Sequence, residues 1–376
     1  MEQVAAVLPG LGEAGAVRRG GRASSYKDIQ RMTGLSLATI SKFHNGGNVL
    51  PENREAIERA VVALDFRPNE VARGLRLKRT RTVGVLLPVL DNAFHQAVIA
   101  AVEEVLRDDG ITVIVSSSPT PVERAVDALM VRMVDGIVAI PSAHDVEALR
   151  TASRRVPVVL VDRDAEGITA DRVFLDNRRA GLLAARHLMD HGHRHIALVG
   201  GEASVSSLVE RAEGFGAGLA QRGLTLDPGL VSQGPLTVEQ GYRGATAALQ
   251  AEHRPTALCA LNYELSLGAV IALNDAGLRL GQDMSVLGFD AADAWRATVP
   301  RLSVVEQPVR TIAQRAAEII RLRLKASHAG SGSADETADE TFDGSVDGAN
   351  APVVPLSTEL LSPRLSPGGS VQRISS

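Results

Sequence analysis

The stretch SSYKDIQRMTGLSLATISKFHN, Ser24 to Asn45, decides how the chain is to be read. Tyr26 to Met32 suits one helix. Gly34 accepts the left-handed backbone that a tight helix–helix corner needs. Ser36 is a side-chain cap for a second helix, Leu37 to His44. Ile29, Leu35, Ile40 and Phe43 supply a small shared core. Ile57, Ala60, Val61 and Leu64 mark a third helix under the pair. Leu37, Ala38, Ser41 and Lys42 then fall at or near the exposed start and face of the second helix. A helix that enters a major groove reads base edges with side chains placed there.

Charge around this stretch agrees. From Arg18 to Arg81 stand fourteen basic and six acidic residues, in a chain of formal net charge −4, so the remainder is near −12. A basic head on an acidic body is the footprint of a chain that meets phosphate at one end.

Beyond residue 82 the pattern changes. Short apolar runs at Val83–Leu87, Ile111–Val115, Gly136–Ile140, Val158–Val161, Ile196–Val199, Ala257–Leu261 and Val286–Phe289 read as buried strands. Amphipathic helices alternate with them. In the first, Phe94, Ala97, Val98, Ala101, Val102, Val105 and Leu106 share a face at steps of three and four. Such alternation predicts parallel sheets covered by helices on both faces. With 376 residues and 45% apolar content, two or three compact units are expected.

Residues 1–24 read as a disordered arm rich in Gly, Ala and Arg. Residues 326–350 hold few large apolar groups and the tandem ADETADET, and read as a disordered acidic insertion. Patterning resumes at Val353–Leu361, a candidate final strand. The lone Cys259 allows no disulfide within the chain, which fits a reducing compartment. Met1 to Val17 lack the basic start and apolar run of a secretory signal, and no apolar stretch is bilayer-length. A cytoplasmic protein without membrane association is expected.

Catalytic motifs are missing. There is no GxGxxG after the first strand, no Walker motif and no paired Cys/His metal spacing. His187, His191, His193 and His195 span a helix end and the following strand and read as a connector. Ser206 and Ser207 sit in no nucleophile elbow. Cys259, mid-strand, reads as buried and inert. Neither enzymatic activity, nor a metal, nor a cofactor is expected.

The Ser24–Asn45 stretch, Arg54 to Ala63 and the following FRPNEVARGLR closely resemble the head of the LacI/GalR family of bacterial repressors. The resemblance continues through TVGVLLPVLDNAFHQAVIAAVEE, VDGIVAI, VPVVLVDRD, LDNRRAGLLAARHLMDHGHRHIALVGG, RAEGFGAGL and SVLGFDAAD, in the family's order. It implies an all-α helix-turn-helix head (25–67), a hinge helix and linker (68–81), and an α/β periplasmic-binding-protein-like core of two Rossmann-like lobes (82–325). The lobe boundaries are implied near 176 and 305, with a final strand and tail at 351–376. The chain is expected to cross between lobes near Leu175–Asn177, near Val304–Gln307 and after the helix Val309 to Leu324.

The resemblance also implies roles. DNA contact falls to Tyr26, Ser36, Leu37, Ala38, Thr39, Ser41, Lys42 and Asn45, and to Asn69, Ala72, Leu75 and Arg76 of the hinge. Leu75 takes the position of a minor-groove wedge, which unstacks a base step and bends the duplex. The partners implied are a palindromic double-stranded operator, a second copy of the chain and a small-molecule effector. Effector-site positions are Asp91, Asn92, Phe94, Asp162, Arg163, Arg211, Asn262 and Asp290, at the carboxyl ends of the strands. Carboxylates accept from hydroxyls while Arg and Asn donate, which suits a polyol.

Several departures stand out. Gln30 and Thr33 replace small alanines, and Lys42 replaces an arginine and so lacks its bidentate fork. Asn262 is followed by Tyr263 where the family has aspartate, a change expected to remove a carboxylate and bring bulk to the cleft. A sugar or related polyol is the family's effector class, with a nucleoside or phosphorylated sugar left open. An effector-independent regulator, its cleft partly filled by Tyr263, is the other reading. Trp295 is assigned to packing ahead of the cleft mouth.

Overall fold

The computed structural model describes residues 24–44, 47–66, 79–120, 124–290, 293–331 and 355–374. The chain divides into two units, Met1–Lys78 and Arg79–Ser376.

Among its described residues the first unit holds three helices: α1 (Tyr26–Thr33), α2 (Leu37–His44) and α3 (Pro51–Ala63). Ser25 and Asp28 form a reciprocal capping box at the start of α1. Gly34 ends α1 at φ 72°, and its N–H donates to the Gln30 carbonyl. The Ser36 hydroxyl accepts from the Thr39 N–H at 3.1 Å, so the corner between α1 and α2 is closed from both sides. Ile29, Ile40, Ile57, Ala60 and Phe66 form the buried centre, with Tyr26, Leu35, Phe43, Val61 and Leu64 packed around it.

The second unit is built on two six-stranded sheets with helices between the strands. In chain order its elements are β1 (Thr82–Leu87), α4 (Ala93–Arg107), β2 (Thr112–Ser117), α5 (Ala125–Val131), β3 (Gly136–Ala139), α6 (Val146–Ala152), β4 (Val158–Val161) and β5 (Asp171–Leu175). Then follow α7 (Asn177–Asp190), β6 (Ile196–Gly201), α8 (Ser206–Ala220), β7 (Val231–Gly234), α9 (Val238–Leu249), β8 (Ala257–Ala260), α10 (Tyr263–Asp275), β9 (Ser285–Phe289) and β10 (Ser303–Glu306). Last come α11 (Val309–Ser331), β11 (Thr358–Leu361) and β12 (Arg364–Ser366). Strand order is β11-β5-β4-β3-β1-β2 in one sheet and β12-β10-β9-β8-β6-β7 in the other. All pairings are parallel except β10 with β12. The two sheets repeat one plan, and the chain passes between them after β5, after β10 and after β11.

The first sheet is buried on both faces, as parallel sheets are. Val83, Val85 and Leu87 face α4 and α11, while Leu86, Ile137 and Ala139 face α5 and α6. In the second lobe, α7 and α8 touch backbone to backbone. A Cβ on Gly181 would stand 1.9 Å from the Arg211 carbonyl, and one on Gly214 would stand 2.0 Å from that of Arg178. Only glycine permits this approach, which brings the Arg211 turn of α8 against the start of α7.

One buried carboxylate ties the end of the chain to the first lobe. Asp171 accepts two hydrogen bonds from Arg323 of α11, both at 2.7 Å, and further bonds from the Ser357 N–H and hydroxyl. Arg323 also donates to the Pro355 carbonyl. The helix that precedes residues 332–354 and the strand that follows them are thus anchored at one point.

The arm (1–24, Ser24 excepted), Asn45 and the hinge residues Asn69, Ala72, Leu75 and Arg76 lie outside the described residues. The insertion expected as disordered over 326–350 is corrected at its start: residues 326–331 continue α11 to Ser331, and 332–350 lie outside the described residues.

Candidate functional site

In the three-helix unit, Ser36, Leu37, Ala38 and Lys42 are exposed, while Thr39 and Ser41 are half-buried. Leu37 is 39% exposed although its helix is short and its neighbour Ile40 is fully buried. Tyr26 sits lower, its ring stacked on His44 at 5.2 Å and tilted against Phe66 at 5.4 Å. Arg54 of α3 lies over the Phe43 ring. Thr33, one of the departures, uses its hydroxyl within α1, donating to the Ile29 carbonyl at 2.8 Å.

Between the two lobes lies a cavity of about 410 Å³, lined from both sides. Of the effector positions expected, Asn92, Phe94, Asp162, Arg163, Arg211, Asn262 and Asp290 line it. Asp91 does not; it is exposed, and only its charge is felt, by His95 and Glu264.

Two of these residues occupy matching places. Asp162 follows β4 at φ 65°, and Asp290 follows β9 at φ 67°. Non-glycine residues avoid this region, and aspartate is among the few that tolerate it. Each lobe thus aims one carboxylate into the cavity from the end of its equivalent strand. Asp162 accepts from Arg163 Nε at 3.2 Å. Asp290 accepts from the Gln307 amide and from the Tyr263 backbone N–H, and lies 3.7 Å from Arg211. Burial pushes the Asp290 carboxyl above its ordinary range, against the pull of the Arg211 guanidinium.

Arg211 is 1% exposed. Its Nε donates to Asn177 Oδ1 at 2.9 Å and its Nη1 to the Leu261 carbonyl at 2.7 Å, with Phe289 under its plane. The guanidinium is thus fixed through Nε and Nη1 before any ligand enters.

Both asparagines are helix caps. Asn92 Oδ1 accepts from the N–H groups of Phe94 and His95 at the start of α4, and Asn262 Oδ1 accepts from Leu265 N–H at the start of α10. Their amide nitrogens converge on one side chain that the sequence reading missed. Glu264 accepts from Asn92 at 2.8 Å through one oxygen and from Asn262 at 2.6 Å through the other. A carboxylate of one lobe is therefore clasped by an amide of each lobe. A second link across the cleft runs from Asp164 N–H to the Ser206 hydroxyl at 3.0 Å.

Tyr263 departs from expectation. Its ring turns away from the cavity and lies 5.4 Å from Trp295. Trp295 is buried and donates its indole N–H to the Asp290 carbonyl at 3.0 Å. The pair packs behind the Asp290 loop instead of filling the cleft. The carboxylate expected to be lost next to Asn262 is supplied one residue later by Glu264. Phe94 serves as both cavity wall and packing, half-buried against the first-lobe core.

His95, Ser207 and Gln307 also line the cavity without having been anticipated. His95 donates Nδ1–H to the Val89 carbonyl, and burial lowers its pKa, which leaves Nε2 an acceptor. The Ser207 hydroxyl and Gln307 Oε1 are buried without a protein partner.

Three of the four histidines bond within the fold, and the His187 ring packs against that of His191. His191 bonds the His187 carbonyl, His193 bonds Thr256 and the Gln372 carbonyl, and His195 bonds the His253 carbonyl. No group of His, Cys, Asp and Glu among the described residues is arranged to hold a metal ion. No helix among them is long and apolar enough to cross a membrane.

A family profile for the periplasmic binding protein-like domain matches residues 185–371. The chain is 30% identical over 308 residues to the HTH-type transcriptional repressor PurR of Vibrio atlanticus, covering 80% of this chain and 92% of that one. It is 29% identical over 306 residues to the ribose operon repressor of Haemophilus influenzae, with the same coverage of each. A crystal structure of the lac repressor dimer bound to operator and the anti-inducer ONPF has the same fold, at a TM-score of 0.76 and 22% identity. It covers 93% of this chain and 100% of its own.

Proposed function

Since the chain belongs to the LacI/GalR family of bacterial transcriptional repressors, we propose that it is a sequence-specific DNA-binding repressor whose operator affinity is set by a sugar or related polyol in the cleft. The observation that carries the effector reading is the cavity between the lobes. It is lined by two matched aspartates in strained backbone, two arginines and the amide-bearing Asn92, Asn262 and Gln307. Close acceptors and donors recognise hydroxyl groups, which act as both. One relative is a ribose operon repressor, which makes ribose the probe of choice.

In this reading residues 25–67 contact the major groove through Ser36, Leu37, Ala38, Thr39, Ser41, Lys42 and Asn45, with Tyr26 beside them. Residues 68–81 act as a hinge, where Asn69, Ala72, Leu75 and Arg76 engage the minor groove. Two copies pair to meet a palindrome, since half-site symmetry mirrors that of the protein. The protein works in the cytoplasm and catalyses no reaction. An effector-independent regulator rested on Tyr263 filling the cleft; the ring packs against Trp295 instead.

Selection from random duplex DNA with the full chain tests the first part; enrichment of a palindrome is expected. On that palindrome, ribose should change the affinity, and Asp290→Asn should abolish the change while DNA binding remains. An Asp290→Asn protein that still responds to the sugar would refute the cleft assignment.

A further inference from the structure

We infer that Glu264 is the specificity-determining residue of the cleft, holding the two lobes on an unphosphorylated ligand and rejecting phosphorylated ones. The inference rests on the reading of the cleft as the effector site.

Glu264 stands in the first turn of α10, where the helix N-terminus favours negative charge. Its two oxygens are clasped by Asn92 and Asn262, one from each lobe. Any ligand that enters must lie beside this clasp or take the place of one amide. The donor that replaces an amide must be an O–H or N–H, because a carboxylate only accepts.

The rest of the wall presses the same way. Asp162, Glu202, Glu264 and Asp290 bring four carboxylates to the cavity, against the guanidinium groups of Arg163 and Arg211. Arg211 is already bonded to Asn177 and the Leu261 carbonyl, and Arg163 to Asp162. The Gln307 amide is spent on Asp290, to which it donates. A phosphate brings only acceptors and negative charge to a wall rich in both. Its charge would stand against the carboxylates of Glu264 and Asp290, and like charges brought together are costly. A sugar hydroxyl in the same place donates to a carboxylate oxygen without adding charge.

Titration calorimetry on the full chain with ribose and ribose 5-phosphate tests this. The wild type should bind ribose at least about tenfold more tightly than ribose 5-phosphate, the scale set by like charges brought together. Glu264→Gln removes the charge and offers a donor in its place, so the ratio should shrink several-fold. Glu264→Asp keeps the charge and should retain most of the discrimination, and thermal unfolding of each variant verifies that it is folded. Equal or tighter binding of ribose 5-phosphate by the wild type, a ratio unchanged in Glu264→Gln, or binding of neither compound would overturn the proposal. Asp290→Asn separates the two levels. If it abolishes a binding that shows no preference, the cleft reading survives and the role of Glu264 falls. If binding ignores Asp290, both fall.

Discussion

Asp162 and Asp290 keep left-handed backbone that glycine would adopt at no cost, each at the end of the equivalent strand of its lobe. Such strain persists where it serves a site, at about 1–3 kcal/mol for each residue. Asp162→Gly should therefore leave stability within about 1 kcal/mol of the wild type, because relief of strain offsets the lost contact and the looser unfolded chain. Effector binding should drop sharply. Urea unfolding together with calorimetry checks both. A large loss of stability with intact binding would make Asp162 a structural residue. At this scale the sequence was partly legible. Motifs placed the aspartates, which stand at strand ends, and Arg211, whose helix is held against its neighbour by Gly181 and Gly214. Glu264 escaped notice because an acid in the first turn of a helix has an ordinary explanation. Gln307 and Ser207 escaped because nothing in a sequence shows which polar atoms are left without partners.

Among elements, the apolar runs found the central strands and missed β5, β7, β10 and β12. VSQG is polar because β7 is an edge strand that buries little; DRVFL is buried at four of its five positions, and its opening charges are taken up by partners, Asp171 by Arg323 and Arg172 by Asp164. The expected strand at Val353–Leu361 begins only at Thr358. Asp171, at the start of β5, holds this region together. Burial alone would raise its pKa, but the Arg323 guanidinium and the Ser357 hydrogen bonds outweigh it, and the carboxyl lies below its ordinary value. A depressed folded value adds stability above the unfolded pKa of about 3.9, and that stability is lost as pH falls through the folded value. Asp171→Asn should flatten the acid limb of a stability–pH profile in that window. Arg323→Met strands a buried charge and should cost about 3 kcal/mol at neutral pH. Denaturant midpoints between pH 2 and 7 read both effects, and parallel acid limbs for wild type and Asp171→Asn would contradict the assignment.

For the whole molecule, the proposed switch makes two sites answer to one equilibrium. If effector weakens operator binding by some factor, operator must weaken effector binding by the same factor. Leu75 tests the path between them. Leu75→Ala should fold normally and bind non-specific DNA nearly as well as the wild type. Its operator affinity should fall more, since wedge insertion contributes only where the duplex bends. An unchanged ratio of specific to non-specific affinity, measured by filter binding at fixed salt, would remove Leu75 from the hinge role.

The position of β11 and β12 bears on how the protein is made. Each is the last strand added to its sheet, β11 beside β5 and β12 beside β10. Both follow every other strand of the two sheets in chain order, whereas the DNA-facing unit precedes them all. On the ribosome, then, the head is complete early, and both lobes wait for the final residues before their edges are covered. A chain stopped between residues 332 and 354 would carry a finished head on a core with β5 and β10 bare. Uncovered strand edges invite pairing with other chains. Translation stops in this interval should therefore yield aggregates and targets for proteolysis, not a constitutively active repressor.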